Sequence, residues 1–135
     1  MVAPLLFTPS LFDVIVANES TSDTLFSLGA AISGGFGNLC EGYLGDAATG
    51  LYKPAKVARF DAKNPHGVNP AGIILAAAKM LEYSFDKSLA KTAVENAVEE
   101  VISQNFVTPD MKNGRDETQK VISTEEFTDE VIKRL

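Results

Sequence analysis

The stretch Val68-Asn69-Pro70-Ala71-Gly72-Ile73-Ile74-Leu75-Ala76-Ala77-Ala78-Lys79-Met80-Leu81 constrains this chain more than any other. It reads as a helix with its start signal attached. Asn69 can cap the first turn through its side-chain oxygen. Pro70 then takes the first helical position, where its missing N–H and fixed φ cost nothing. Only Lys79 and Glu82 interrupt the run of Ile73, Ile74, Leu75, Met80, Leu81 and Tyr83. A helix apolar nearly all round belongs inside a domain. Gly72 and Ala76 to Ala78 let neighbouring elements approach it closely. Ahead of it, Leu51 to Lys53 reads as a strand and residues 55–67 as a loop aimed at the helix N-terminus. Helix N-termini attract anions, so a phosphate-bearing ligand is expected at this loop–cap–helix unit.

With 135 residues the chain makes at most one domain, long enough for a real core. Its net charge of −6, with Lys and Arg scattered, lacks the electrostatic footprint of a nucleic-acid binder. The single cysteine, Cys40, excludes an internal disulfide framework and suits a reducing compartment. The longest apolar run, Ala71 to Ala78, is too short to span a membrane. Residues 1–11 are apolar but carry neither a basic start nor a small-residue cleavage pattern, so they read as a loose N-terminus. No targeting signal is legible; the expected location is the cytoplasm, with the mitochondrion as the alternative.

Phe12-Asp13-Val14-Ile15-Val16-Ala17 is short, β-branched and bounded by turn residues, the pattern of a buried strand. Ser20 to Asp23 offer caps for a helix carrying Leu25, Phe26, Leu28, Ala30, Ala31 and Ile32, which Gly34-Gly35-Phe36-Gly37 then stops. From Asn38 to Gly50 the signal is weak, glycine-rich loop with a possible short strand. Asp86 to Ser88 should cap a helix running to about Gln104, with Leu89, Ala93, Val94, Ala97, Val98, Val101 and Ile102 on one face. Residues 105–122 read as a connection. Ser123 and Glu126 form a capping box, and Phe127, Val131 and Leu135 give the last helix an apolar stripe. The fold class expected is α/β, with helices dominating the second half.

Taken in order, Phe12 to Val16, Asp23, Gly34 to Gly37, Val68-Asn69-Pro70, Ile73 to Leu81 and Ser123 to Ile132 resemble the isocitrate/3-isopropylmalate dehydrogenase family. The resemblance covers the C-terminal third of such enzymes. It implies the C-terminal portion of an isopropylmalate dehydrogenase-like fold over residues 12–135. It further implies an oxidoreductase lineage: oxidative decarboxylation of a 3-hydroxy acid with NAD and Mg²⁺ or Mn²⁺, in a dimer. Family members hold the cation with two aspartates four residues apart on a helix, so that both carboxylates share one face. Here the first is Asp23, and the second falls on Ser27, a neutral and weaker ligand for a hard cation. Asp23 also reads simply as a carboxylate placed favourably in a first helical turn.

The family's cofactor loop reads His-Gly-Ser/Thr-Ala-Pro, and the matching positions here are Lys56-Val57-Ala58-Arg59-Phe60. Bulky Val57 and Phe60 replace the residues that shape that loop. Two cofactor positions match: Asp61, aligned with the acidic residue that NAD-using members place on the adenosine ribose, and Asn69, aligned with an adenine-contacting asparagine. The competing readings are a solvated loop charge and a plain N-cap. The resemblance puts the family's substrate arginines and its catalytic tyrosine and lysine before the matching region, so no catalytic residue is assigned. The implied role is a partial or diverged member, inactive alone. The alternative is a catalytically silent subunit that pairs with a full-length relative as a homo- or hetero-oligomer.

His66 and Cys40 remain. His66 lies between Pro65 and Gly67, and no orienting carboxylate for it is legible in the sequence. Cys40 has no recognisable base and reads as a small, partly buried side chain. Glu95, Glu99 and Glu100 read as a solvated helix face.

Overall fold

The computed structural model describes residues 2–46, 49–55 and 66–135. Helix α1 (Val2–Phe7) leads through a 3-10 turn at Pro9–Leu11 and an extended segment into α2 (Glu19–Ile32). Strands β1 (Cys40–Leu44) and β2 (Gly50–Pro54) follow, paired antiparallel with Cys40 opposite Pro54. Helices α3 (Ala71–Tyr83) and α4 (Ser88–Ser103) come next. Two-residue strands β3 (Phe106–Val107) and β4 (Lys120–Val121) then pair in parallel, and α5 (Thr124–Ile132) closes the chain. The mixed α/β class and the dominance of helices in the second half are as the sequence implies.

The core lies between α3, α4 and α5. Ala71, Ala97, Val98, Val101, Phe127 and Val131 form one buried cluster, with Ile74, Leu75 and Ile102 packed against it. Alanines on α3 and valines on α4 let the two helices approach closely. Phe127 fills the gap that α5 closes. The capping box on α5 forms as its spacing predicts: Ser123 Oγ accepts the Glu126 N–H at 3.1 Å, and Glu126 Oε2 accepts the Ser123 N–H at 2.8 Å. Helix α5 ends at Ile132, which leaves Leu135 beyond it and exposed, a correction to the expected stripe.

Several other expectations are corrected. Phe12 to Ala17 is not a strand but an unpaired extended segment, with Val14 81 % and Val16 91 % exposed. β-Branched residues favour a strand only where a sheet packs against them, and no described segment pairs here. Residues 1–11, expected loose, carry α1, which packs on α2 with Leu5 buried. Helix α2 begins earlier than expected because Asn18, not Ser20 to Asp23, is its cap; Asn18 Oδ1 accepts the Thr21 N–H at 3.0 Å. Helix α3 is not buried all round, since Ile73, Ala77, Met80 and Tyr83 form an exposed face. Helix α4 starts with no side-chain cap, and Leu89 and Ala93 are exposed.

Glu95 is likewise no solvated-face residue. Its carboxylate lies 3.0 Å from Lys79 Nζ and 2.8 Å from Lys91 Nζ, and Glu82 completes a four-charge cluster between α3 and α4. Burial alone would raise the Glu95 carboxyl, but hydrogen bonds from Lys91 and Lys79 outweigh it and hold the group below its usual 4.5. A depressed carboxyl stabilises the fold above its unfolded value and loses that contribution as pH falls through its lower folded value. Glu95→Gln is therefore expected to cost about 0.5–1 kcal/mol at neutral pH, the range for a partly screened network. Urea unfolding should show that difference intact at pH 7 and vanishing below the folded pKa of Glu95. A pH-independent difference would remove the ion pairs from the account.

Candidate functional site

The site is built at the start of α3. Pro70 has helical dihedrals (φ −85°, ψ −4°), and Asn69 Oδ1 accepts the Ala71 N–H at 2.9 Å, so Asn69 caps the helix as its sequence position implies. The segment leading to it is tied to α5. Thr124 Oγ1 donates to the Val68 carbonyl at 2.6 Å and accepts the Val68 N–H at 3.1 Å, while the Thr124 N–H bonds the His66 carbonyl. Residues 66–69 thus enter α3 on a fixed line.

Two close approaches set the site's floor. A Cβ on Gly72 would stand 2.7 Å from the Leu39 carbonyl oxygen and 3.0 Å from that of Gly37, so α3 meets the turn before β1 backbone to backbone. A Cβ on Gly37 would stand 2.9 Å from Asn69 Nδ2. The wall opposite is the turn that ends α2, where Gly34 (φ 85°) and Gly35 (φ 128°) adopt left-handed backbone that L side chains resist. Between wall and helix lies a pocket of about 210 Å³ lined by Gly34 to Gly37, Asn69 and Asp110, with Val68 and Met111 supplying apolar surface. That volume holds a ring-sized group rather than a whole dinucleotide.

Asp110 is one of the residues that sequence reasoning missed. Its Oδ2 accepts the Asn69 N–H at 3.1 Å, its Oδ1 accepts the hydroxyl of buried Thr108, and its own N–H bonds the Gly67 carbonyl. The chain therefore supplies its own anion at the positive end of α3. A phosphate brought to the same place would meet that carboxylate. The available signal was Thr108-Pro109-Asp110, a turn-former pattern read only as connection.

The remaining candidates lie apart from this pocket. Asp23 is exposed on α2 and does not line it. One turn on, Ser27 directs its hydroxyl to the Asp23 carbonyl at 2.8 Å, so it bonds its own helix instead of completing a ligand pair. No group of three or more His, Cys, Asp or Glu side chains among the described residues could hold a metal ion. Asp61 and the Lys56 to Phe60 segment lie outside the described residues.

His66 does find the carboxylate the sequence could not place: its Nδ1 lies 2.6 Å from Glu125 Oε1. That bond holds the Glu125 carboxyl below its usual range. Both side chains are largely exposed, so the pair is a surface pin on the same 66–69 segment. Burial raises the Cys40 thiol, which makes it a poor nucleophile. No helix among the described residues is long and apolar enough to cross a membrane.

Comparison with known proteins bears on the family of the chain. The family described as isocitrate/isopropylmalate dehydrogenase matches residues 1–131. A 3-isopropylmalate dehydrogenase of Rhodopirellula baltica is 36% identical over 135 residues, covering 100% of this chain and 37% of the relative. One from Heyndrickxia coagulans is 35% identical over 133 residues, covering 97% of this chain and 35% of the relative. The crystal structure of isocitrate dehydrogenase from Methylococcus capsulatus superposes with a TM-score of 0.76 at 27% identity, over 98% of this chain and 38% of that one. The chain thus spans little more than a third of the length of the relatives it matches.

Proposed function

Because this chain belongs to the isocitrate/isopropylmalate dehydrogenase family, we propose that it is a partial or diverged member that keeps a pocket for the nucleoside half of NAD and has lost the divalent-cation centre. The observation that carries this reading is the convergence of Gly34 to Gly37, Asn69 and Asp110 on one ring-sized pocket, while one turn after Asp23 stands Ser27, whose hydroxyl bonds its own helix. Apolar surface from Val68 and Met111 suits an aromatic ring, and the Asp110 carboxylate suits N–H donors on its edge. Asp61 would add an acidic partner for the ribose. NAD, where bound, supplies the hydride acceptor for oxidation of a small hydroxy acid. This chain's own residues hold and orient its adenosine end.

The metal half of the proposal is tested by titration. Mn²⁺ or Mg²⁺ should show no saturable binding tighter than about 1 mM, the weak end of carboxylate cation sites. Ser27→Asp adds a carboxylate one turn after Asp23, and calorimetry should then show at least tenfold tighter Mn²⁺ binding than in the natural chain. Tight binding by the natural chain would contradict the loss of the centre.

A second reading has its own support. Phe7, Leu11, Val14 and Val16 leave a large apolar surface on the first part of the chain, as a subunit that packs against a full-length relative would. Co-elution with a co-expressed 3-isopropylmalate dehydrogenase on size exclusion supports that role. Elution of the two as separate species argues against it.

A further inference from the structure

The glycine wall of the pocket has almost no side chains to hold it, and one side chain outside the family-derived expectations does so. Asn38 Nδ2 donates to the Ser33 carbonyl at the C-terminus of α2 at 2.8 Å, and its Oδ1 accepts from Asn69 Nδ2 at 2.7 Å. Asn69 Oδ1 in turn accepts the Ala71 N–H. The orientations of both amides are fixed from the ends of this relay. An N–H can only donate, so Ala71 sets Asn69; a carbonyl can only accept, so Ser33 sets Asn38. Flipping either amide places like against like at two contacts.

We propose that Asn38 is a positioning residue: the Asn38–Asn69 relay clamps the Gly34–Gly37 wall to the start of α3 and sets the pocket's shape before a ligand enters. Two consequences follow from the contacts. The Asn69 amide is anchored within the chain at both ends, its Oδ1 on Ala71 and one N–H on Asn38, which leaves its second N–H free to face the pocket. The relay also ties the end of α2 to α3, so a ligand pressing on the wall is felt at Ser33. Its ligand arm rests on the nucleoside reading of the pocket; its structural arm does not.

The relay is tested on the full chain by amide hydrogen exchange and by titration with NAD⁺. Exchange of the Asn69 side-chain N–H₂ is expected to be at least tenfold slower than that of exposed Asn96. Asn38→Ala should abolish that protection and leave the Ala76 and Ala78 amides unchanged. Asn38→Asp separates the two ends, because a carboxylate still accepts from Asn69 but faces the Ser33 carbonyl with no proton to give. It should retain Asn69 protection and speed exchange at Gly35, whose N–H bonds the Ala30 carbonyl at 2.7 Å. If Asn38→Ala does not fold, this split pattern in Asn38→Asp decides the matter. Unprotected Asn69 in the natural chain, or protection indifferent to both variants, overturns the proposal. With NAD⁺, resonances of Gly35, Gly37 and Asp110 should shift in the natural chain, with at least fivefold weaker apparent affinity in whichever variant loosens the wall. Equal affinity in a loosened wall overturns the positioning role. No shift in the natural chain overturns the nucleoside reading instead, and the exchange pattern alone then judges the relay.

Discussion

Phe127→Ala is expected to lower the unfolding free energy by about 3–5 kcal/mol, the usual cost of emptying a buried phenylalanine site. Phe127 is fully buried at the junction of α3, α4 and α5, among Ala71, Ala97, Val98, Val101 and Val131. These neighbours are small and sit on helices already in close contact, so none can swing in to fill the space. The loss is a large part of the stability of an ordinary domain, about 5–15 kcal/mol. Urea unfolding followed by circular dichroism gives the difference directly. Leu135→Ala, on the same helical stripe by sequence but exposed, should stay within about 0.5 kcal/mol. Equal effects at the two positions would show that α5 does not close the core.

The second large effect concerns a glycine. On helix propensity alone, Gly72→Ala should stabilise α3 by about 1 kcal/mol. The structure reverses the sign. The new Cβ would stand 2.7 Å from the Leu39 carbonyl, and that backbone is held in turn by the Ala55 N–H on Leu39 and by the pairing of β1 with β2. Relief requires α3 to move away from the turn, opening the pocket floor, at a net cost of about 1–3 kcal/mol. Gly29, in the interior of α2, has nothing within 4 Å of its Cβ position, so Gly29→Ala should stabilise by about 0.5–1 kcal/mol. Thermal melts of the two variants should therefore move in opposite directions. A stabilised Gly72→Ala would mean that α3 does not meet the turn backbone to backbone.

Local signals were the legible ones. The Asn69-Pro70 start, the Ser123/Glu126 capping box and the glycine stop after α2 each depend on a few neighbouring residues, and each forms. Gly72 was legible as a close-approach residue, though not what it approaches. The segment Phe12 to Ala17 shows the opposite case: its β-branched pattern describes a sheet environment that the described residues do not provide. Asn38, Asp110 and Glu125 were missed because their roles arise from partners 31, 41 and 59 positions away. No periodicity or cap rule reaches that far. The exposed faces of α3 and α4 were misread for a related reason, since hydrophobicity marks what can be buried and not what the chain at hand buries.

The function proposed above is that of a family member that keeps the cofactor end of its site, at the head of α3, and has lost the cation end. The most direct test is absorbance at the NADH band for the purified 135-residue chain mixed with NAD⁺, Mg²⁺ or Mn²⁺, and either isocitrate or 3-isopropylmalate. No NADH above the enzyme-free control is expected with either substrate. Metal-dependent NADH production that tracks enzyme concentration would contradict the proposed function.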